Sequence, residues 1–174
     1  MALCASLSGI TLDCRDNVGG IEEVYIGSAS GSIEFASAPT DGTSAITNVK
    51  LDGTALTGLS DLSTYACVKQ TGTLTETGTF SEENGTAFYT SVASAVFNKV
   101  TGAKLQELYN LGITTLLCVI VKDNNGKYWL LGNDRGSLVS NSTTDVGTAF
   151  GDRNGLTIEF TGIDQNPMTE ITIA

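Results

Sequence analysis

The nearest this sequence comes to an acid–base pair is two doublets of adjacent carboxylates, Glu22 with Glu23 and Glu82 with Glu83. Neighbouring residues on a strand point to opposite faces, so neither doublet is preset to flank one substrate, and a solvated face is expected for both. The chain has no histidine. That removes the commonest general base near neutral pH, the commonest zinc ligand and any Ser-His-Asp or Cys-His unit. GxSxG, Walker and GxGxxG patterns are missing too. Asp123, Asn124 and Asn125 have the letters that begin a calcium loop, but Gly126 and the residues after it do not continue the twelve-residue pattern. A hairpin turn accounts for them better. We therefore expect no catalytic residues, no metal and no cofactor, and a protein that is not an enzyme.

Four cysteines remain as reactive groups. Cys67 in TYACVKQ and Cys118 in LLCVIV lie in strand-like runs, where a buried, inert thiol is expected. Cys4 and Cys14 have a spacing that permits a disulfide without requiring one, and no CxxC pair occurs. Arg135 in NDRG and Arg153 in GDRNG sit in turn-like segments. Ordinary exposed turns are the first reading of both, and ion pairs between subunits the alternative.

The composition favours strands and tight turns. Only 16% of the 174 residues are charged, whereas 24 are threonine and 20 glycine. One domain spanning 1–174 is expected, large enough to bury about 70% of its unfolded accessible surface. The net charge of −10 leaves no basic stripe for phosphates and argues against stable nucleic-acid binding. MALCASLSGITLDCRDN lacks the pattern of a signal peptide, and no run approaches a membrane span, so a soluble chain made in the cytoplasm, without membrane partners, is expected.

Residues 1–18 read as an extended N-terminal arm. Strands are expected over Glu23–Ile26, Ile33–Phe35, Tyr65–Gln70, Gly72–Phe80 and Thr86–Phe97, with a loop at Pro39–Ser44 and a less regular strand around Ile46, Val49 and Leu51. The alternating threonines 71, 73, 75, 77 and 79 would share one face, solvated or between subunits in preference to an ice- or ligand-binding face. A single helix is expected over Thr101–Leu111. Thr101 would cap it, Leu105, Leu108 and Tyr109 would pack it, and Gly112 would end it as the C′ residue. Ile113–Val121 reads as a strand buried on both faces, turning at Asn125-Gly126 in a type I′ hairpin into Lys127–Leu131. Further strands are expected at Ser137–Ser140, Gly147–Gly151 and Leu156–Gly162, with a polar loop at Asn141–Asp145, a hairpin turn at Asn154-Gly155 and an edge strand carrying Ile171 and Ile173. The fold class is mainly β: a sandwich or barrel with one flanking helix.

This order of elements resembles the tail tube proteins of long-tailed bacteriophages. The segments CRDNVGGIEEVYI (Cys14–Ile26), VIVKDNNGKYWLLGNDRG (Val119–Gly136) and GTAFGDRNGLTIEFTG (Gly147–Gly162) resemble phage structural proteins associated with Bacteroidota hosts. The resemblance implies a virion protein of the tail. Copies of the chain would form hexameric rings that stack into a tube, contact other tail proteins and let DNA pass without specific binding. An acidic lumen would repel phosphates, and Asp13, Asp16, Glu22, Glu23, Glu34 and Glu76 are the candidates to line it. The N-terminal arm and the Pro39–Gly58 region are candidates for contacts between rings. A capsid decoration or cement protein and a bacterial surface or pilin-like adhesive domain are the alternatives.

Overall fold

The computed structural model describes residues 10, 16–29, 33–35, 43–46, 49–51 and 54–173, with backbone alone for 33–35 and 43–44. Asp13, Cys4, Cys14, the Glu34 side chain and most of the expected N-terminal arm lie outside the described residues.

The chain is mainly β with one helix, and its strands form a sandwich. In order they are β1 (Ile21–Ser28), β2 (Ile33–Phe35), β3 (Thr43–Ala45), β4 (Val49–Leu51), β5 (Thr54–Ala55), β6 (Ser63–Ala66), β7 (Thr73–Ser81) and β8 (Thr86–Asn98). Helix α1 (Gly102–Ile113) follows, then β9 (Leu117–Asp123), β10 (Tyr128–Leu131), β11 (Ser137–Asp145), β12 (Gly155–Asp164) and β13 (Thr169–Thr172). One hydrogen-bonded path runs β3-β13-β10-β9-β11-β12-β8-β7, with β1 on the other side of β9 and β6 beyond β1. Strands β2, β4 and β5 make a separate small sheet.

β9 is the shared wall of the molecule. Its LCVIV run is wholly buried, and because side chains alternate across a strand it supplies two cores. Leu117, Val119 and Val121 meet Val24, Ala93, Ala95, Leu156, Ile158 and Phe160 in the core between the layers. Cys118 and Ile120 join Tyr25, Leu130, Ile171, Val49, Leu56 and Leu62 on the opposite face, beneath the small sheet. The expectation of a strand buried on both faces holds for Leu117–Val121, but Ile113, where it was expected to begin, ends α1 and is exposed.

The path folds over at the corner between β10 and β11. β10 pairs with β9 through Leu131 opposite Val119, whereas β11 touches β9 only at Ser137 opposite Leu117. Gly132 and Gly136 both take left-handed backbone (φ 65° and 66°). A Cβ on Gly132 would lie 2.0 Å from the Gly136 carbonyl oxygen, so no larger residue fits that turn.

Several local expectations are corrected. Asn125 does not have positive φ while Gly126 does (78°), so the β9–β10 turn is a longer, glycine-bulged turn and not type I′. The Asp123 carboxylate takes over part of the turn's bonding, accepting the N–H groups of Asn125 and Lys127 at 2.8 and 2.9 Å. Residues 141–145 belong to β11 and residues 147–151 to a loop, the reverse of what their polarity suggested. Asn154 and Gly155 are not the turn; Gly155 begins β12. Ser44 falls in β3 and not in a loop, and β13 is interior, paired with β10 on one side and β3 on the other.

Candidate assembly surface

β7 ends the hydrogen-bonded path, and β8 is its one strand neighbour among the described residues. The pair runs from Thr73 opposite Ser94 to Ser81 opposite Thr86 with no shift of register. Thr73, Thr75, Thr77 and Thr79 are exposed, whereas Thr71 lies in the preceding turn, its hydroxyl donating to the Val68 carbonyl at 2.7 Å. On the other face the Phe80 ring stands edge-on to Tyr89 with centroids 5.7 Å apart. It covers Gly78, where an added Cβ would meet the ring at 2.9 Å. Phe80 is nonetheless 68% exposed.

Edge strands are usually guarded by lysine, proline, a bulge or an inward-pointing charge. β7 contains no lysine, proline or bulge. Its single charge, Glu76, is half-buried and already bonded within the subunit, accepting the Ser91 hydroxyl at 3.0 Å and the Met168 N–H at 2.6 Å.

A second exposed feature is the loop between β11 and β12. Asp152 organises it: its carboxylate accepts the N–H of Ala149 at 2.7 Å, and the N–H and hydroxyl of Thr148 at 2.9 Å each. These donors hold its carboxyl below the ordinary aspartate range, the Ala149 N–H most strongly. Gly147 takes positive φ (71°) to enter the turn. The loop displays Phe150 with its full side chain in solvent, and Val146, at its start, is 66% exposed. Asn154 ties the loop's end to the start of the helical segment, its carbonyl accepting Lys99 N–H at 2.6 Å and its side-chain oxygen Val100 N–H at 2.9 Å.

Helix α1 starts as expected, with the Thr101 hydroxyl accepting the Lys104 N–H at 3.3 Å. Its end and its packing face are both corrected. The last turn continues through Gly112 to a cap at Thr114. Leu108 and Leu111 pack against the inter-layer core, but Leu105 and Tyr109 are 41% and 62% exposed. The reason is rotational: residues 108 and 111 share one side of the helix, and 105, 109 and 113 follow one another along another at intervals of four. Ile113 is exposed as well. Of the stripe expected to bury the helix, Leu108 packs inward, whereas Leu105 and Tyr109 form an outward apolar ridge with Ile113.

Between α1 and the sheet lies a cavity of about 420 Å³ lined by Tyr65, Cys67, Phe97, Lys104, Leu111 and Ile158, among others. Its polar groups are engaged: the Tyr65 hydroxyl donates to Glu107 at 2.5 Å, and the Lys104 ammonium donates to the Asn98 carbonyl. Burial, then the charge of Glu23, pushes the Cys67 thiol up to about 11. Burial alone pushes Cys118 up to about 12. Both thiols stay protonated at neutral pH and are poor nucleophiles.

The acidic candidates scatter. Asp16 and Glu22 are exposed, and Glu22 pairs with Lys122 at 2.7 Å. Glu23 is half-buried and accepts the Tyr25 hydroxyl at 2.5 Å. Glu22 is the bulged residue of β1, since the register against β9 shifts between Ile21 and Glu23. Arg135 lies in the corner turn, and Arg153 donates to Thr157 at 3.1 Å.

Sequence reasoning missed the second task of the asparagines in the hairpin turn. Asn125 accepts the Val18 N–H at 2.8 Å and donates to Asn17 and to the Val18 carbonyl, while Asn124 donates to the Gly19 carbonyl at 2.7 Å. Two side-by-side amides in a turn that requires only one asparagine were the available signal. No helix among the described residues is long and apolar enough to cross a membrane. Compared with protein-family models, curated proteins and solved structures, the chain gives no match.

Proposed function

We propose that this chain is a structural protein of a phage tail, whose copies associate into stacked, six-membered rings that form the tail tube. The observation that carries the reading is the unguarded β7 edge: nine residues of regular strand with no strand partner on one side among the described residues, and uncharged threonines on the exposed face. A strand of this kind is suited to pairing with a neighbouring copy and is a liability in a protein that stays alone. Phe150 with Val146, and the ridge of Leu105, Tyr109 and Ile113, add exposed apolar contacts of the kind subunit interfaces cover. Because Glu23 and Glu76 are engaged within the subunit and Glu22 is paired with Lys122, Asp16 is the described candidate best placed to contribute acidity to a lumen.

Negative-stain electron microscopy of the purified chain tests the reading. Rings or hollow tubes are expected, and a double variant Thr77→Lys/Thr79→Lys with unchanged circular dichroism should give single particles. A wild-type chain that remains monomeric at high concentration would overturn the proposal and favour a decoration protein. Tubes formed equally well by the double variant would remove β7 as the contact.

A further inference from the structure

Three asparagines in the chain are followed by glycine: Asn84, Asn125 and Asn154. Such a junction carries a chemistry of its own. Without a Cβ in the way, the glycine nitrogen can approach the asparagine side-chain carbonyl closely enough to attack it. The fold treats the three junctions differently.

Asn125 is exposed, but its side chain is held by three bonds. Its oxygen accepts the Val18 N–H at 2.8 Å, and its nitrogen donates to the Asn17 side-chain oxygen at 2.7 Å and to the Val18 carbonyl at 2.9 Å. Asn154 accepts the Val100 N–H with its side-chain oxygen at 2.9 Å. Its glycine is buried at the start of β12, between Asn98 and Asp145 on the two neighbouring strands. A Cβ on Gly155 would lie 2.3 Å from the Phe97 carbonyl oxygen, so this backbone has no room to turn toward the side chain.

Asn84 lies at the tip of the β7–β8 hairpin, where residues 82–87 are all exposed. Its backbone N–H donates to the Ser81 hydroxyl at 3.2 Å, but its side-chain amide makes no hydrogen bond among the described residues. The Gly85 N–H donates to the Glu82 carbonyl at 3.4 Å, longer than the usual range. A Cβ on either Gly85 or Gly126 would meet nothing within 4 Å, so the side-chain bonds are what separate these two junctions.

We propose that Asn84 is a site of spontaneous modification, deamidation through a cyclic imide, and that the fold shields Asn125 and Asn154 from the same reaction. The Gly85 nitrogen attacks the carbonyl carbon of the Asn84 side chain. The new C–N bond replaces the bond to the amide nitrogen, which leaves with the Gly85 proton as ammonia. Water then opens the imide at either carbonyl. One opening yields aspartate; the other yields isoaspartate, in which the main chain runs through the former side chain. Either product adds a third consecutive carboxylate to Glu82 and Glu83 at the end of the edge strand. Isoaspartate also lengthens the turn that sets Ser81 opposite Thr86.

The experiment incubates the full-length chain at pH 8, folded and in urea, and follows the three junctions by peptide mapping with fragmentation that separates aspartate from isoaspartate. In urea the three should react at similar rates. In the folded chain Asn84 should stay close to its unfolded rate, whereas Asn125 and Asn154, whose bonds must open first, should slow on the order of a hundredfold. The Asn84 product should contain isoaspartate, because direct hydrolysis of the side-chain amide yields aspartate alone. Slowing of Asn84 on folding by as much as the other two, reaction of Asn125 or Asn154 as fast as Asn84 in the folded chain, or aspartate without isoaspartate at position 84 would each overturn the proposal.

Discussion

The carboxylate of Glu76 accepts the backbone N–H of Met168 at 2.6 Å across a separation of 92 residues. The bond ties the middle of the free edge strand to the turn between β12 and β13. With the Ser91 hydroxyl as a second donor, Glu76 acts as a brace. Glu76→Ala should cost about 2 kcal/mol, because it strands a buried serine hydroxyl and a backbone donor. That corresponds to a fall in melting temperature of about 4–8 °C for a chain of this size. Glu76→Gln should recover part of the loss. An alanine variant as stable as the wild type would show that the brace contributes nothing.

Asn125 holds residues 17 and 18 against the β9–β10 turn through three side-chain bonds. Asn125→Ala should leave the turn itself formed, since Gly126 and the Asp123 carboxylate shape it. The segment 16–20 should exchange its amide hydrogens faster and be cut sooner by proteases. The stability cost should be about 1 kcal/mol. Hydrogen exchange by mass spectrometry would detect the effect; protection lost across β9 and β10 as well would mean that the asparagine builds the hairpin.

Site-resolved alkylation with iodoacetamide at pH 8 should leave Cys118 unmodified until the chain unfolds. Cys67, with a thiol near 11, should react on the order of a hundredfold more slowly than a free cysteine. Denaturant should make the two equivalent. Rapid labelling of Cys67 in the folded chain would mean that the cavity beside α1 opens frequently.

Acidification should release the loop that carries Phe150. The Asp152 carboxyl is held below its ordinary range in the folded chain, so its contribution to loop order is fully present above the unfolded value of about 3.9. It is lost as pH falls through the lower folded value. The amides of Thr148 and Ala149 should stay protected at pH 5 and lose protection only below about pH 3.9. Asp152→Asn should remove this pH dependence; protection already lost between pH 5 and 6 in the wild type would contradict the assignment.

The parts of the fold legible in the sequence were those where one residue type has one physical solution. LCVIV is too apolar to face water on either side, and Thr101 before a leucine-bearing segment is a natural cap. The helix face was ambiguous because Leu105 with Tyr109 and Leu108 with Leu111 are both apolar pairs at helical spacing, and only the sheet decides which turns inward. Residues 141–145 read as loop because all are exposed, yet their backbones pair with β12 beyond the core. Conversely, the alternation in GTAFG suggests a strand, but Asp152 takes the Thr148 and Ala149 amides that a strand would use. The bond from the Asp134 N–H to the Asp164 carboxylate was invisible because the two residues are 30 positions apart and meet only through the fold.

The corner at Gly132 and Gly136 has a mechanical consequence. The two layers form one hydrogen-bonded path from β7 to β3, but β11 reaches β9 only at Ser137 opposite Leu117, so force applied along the edge strand crosses between the layers through that pair and the covalent chain of the corner turn. Two layers joined by side-chain contact alone would slide apart under the same load. The turn that admits only glycine is therefore the covalent link that carries load from one layer to the other.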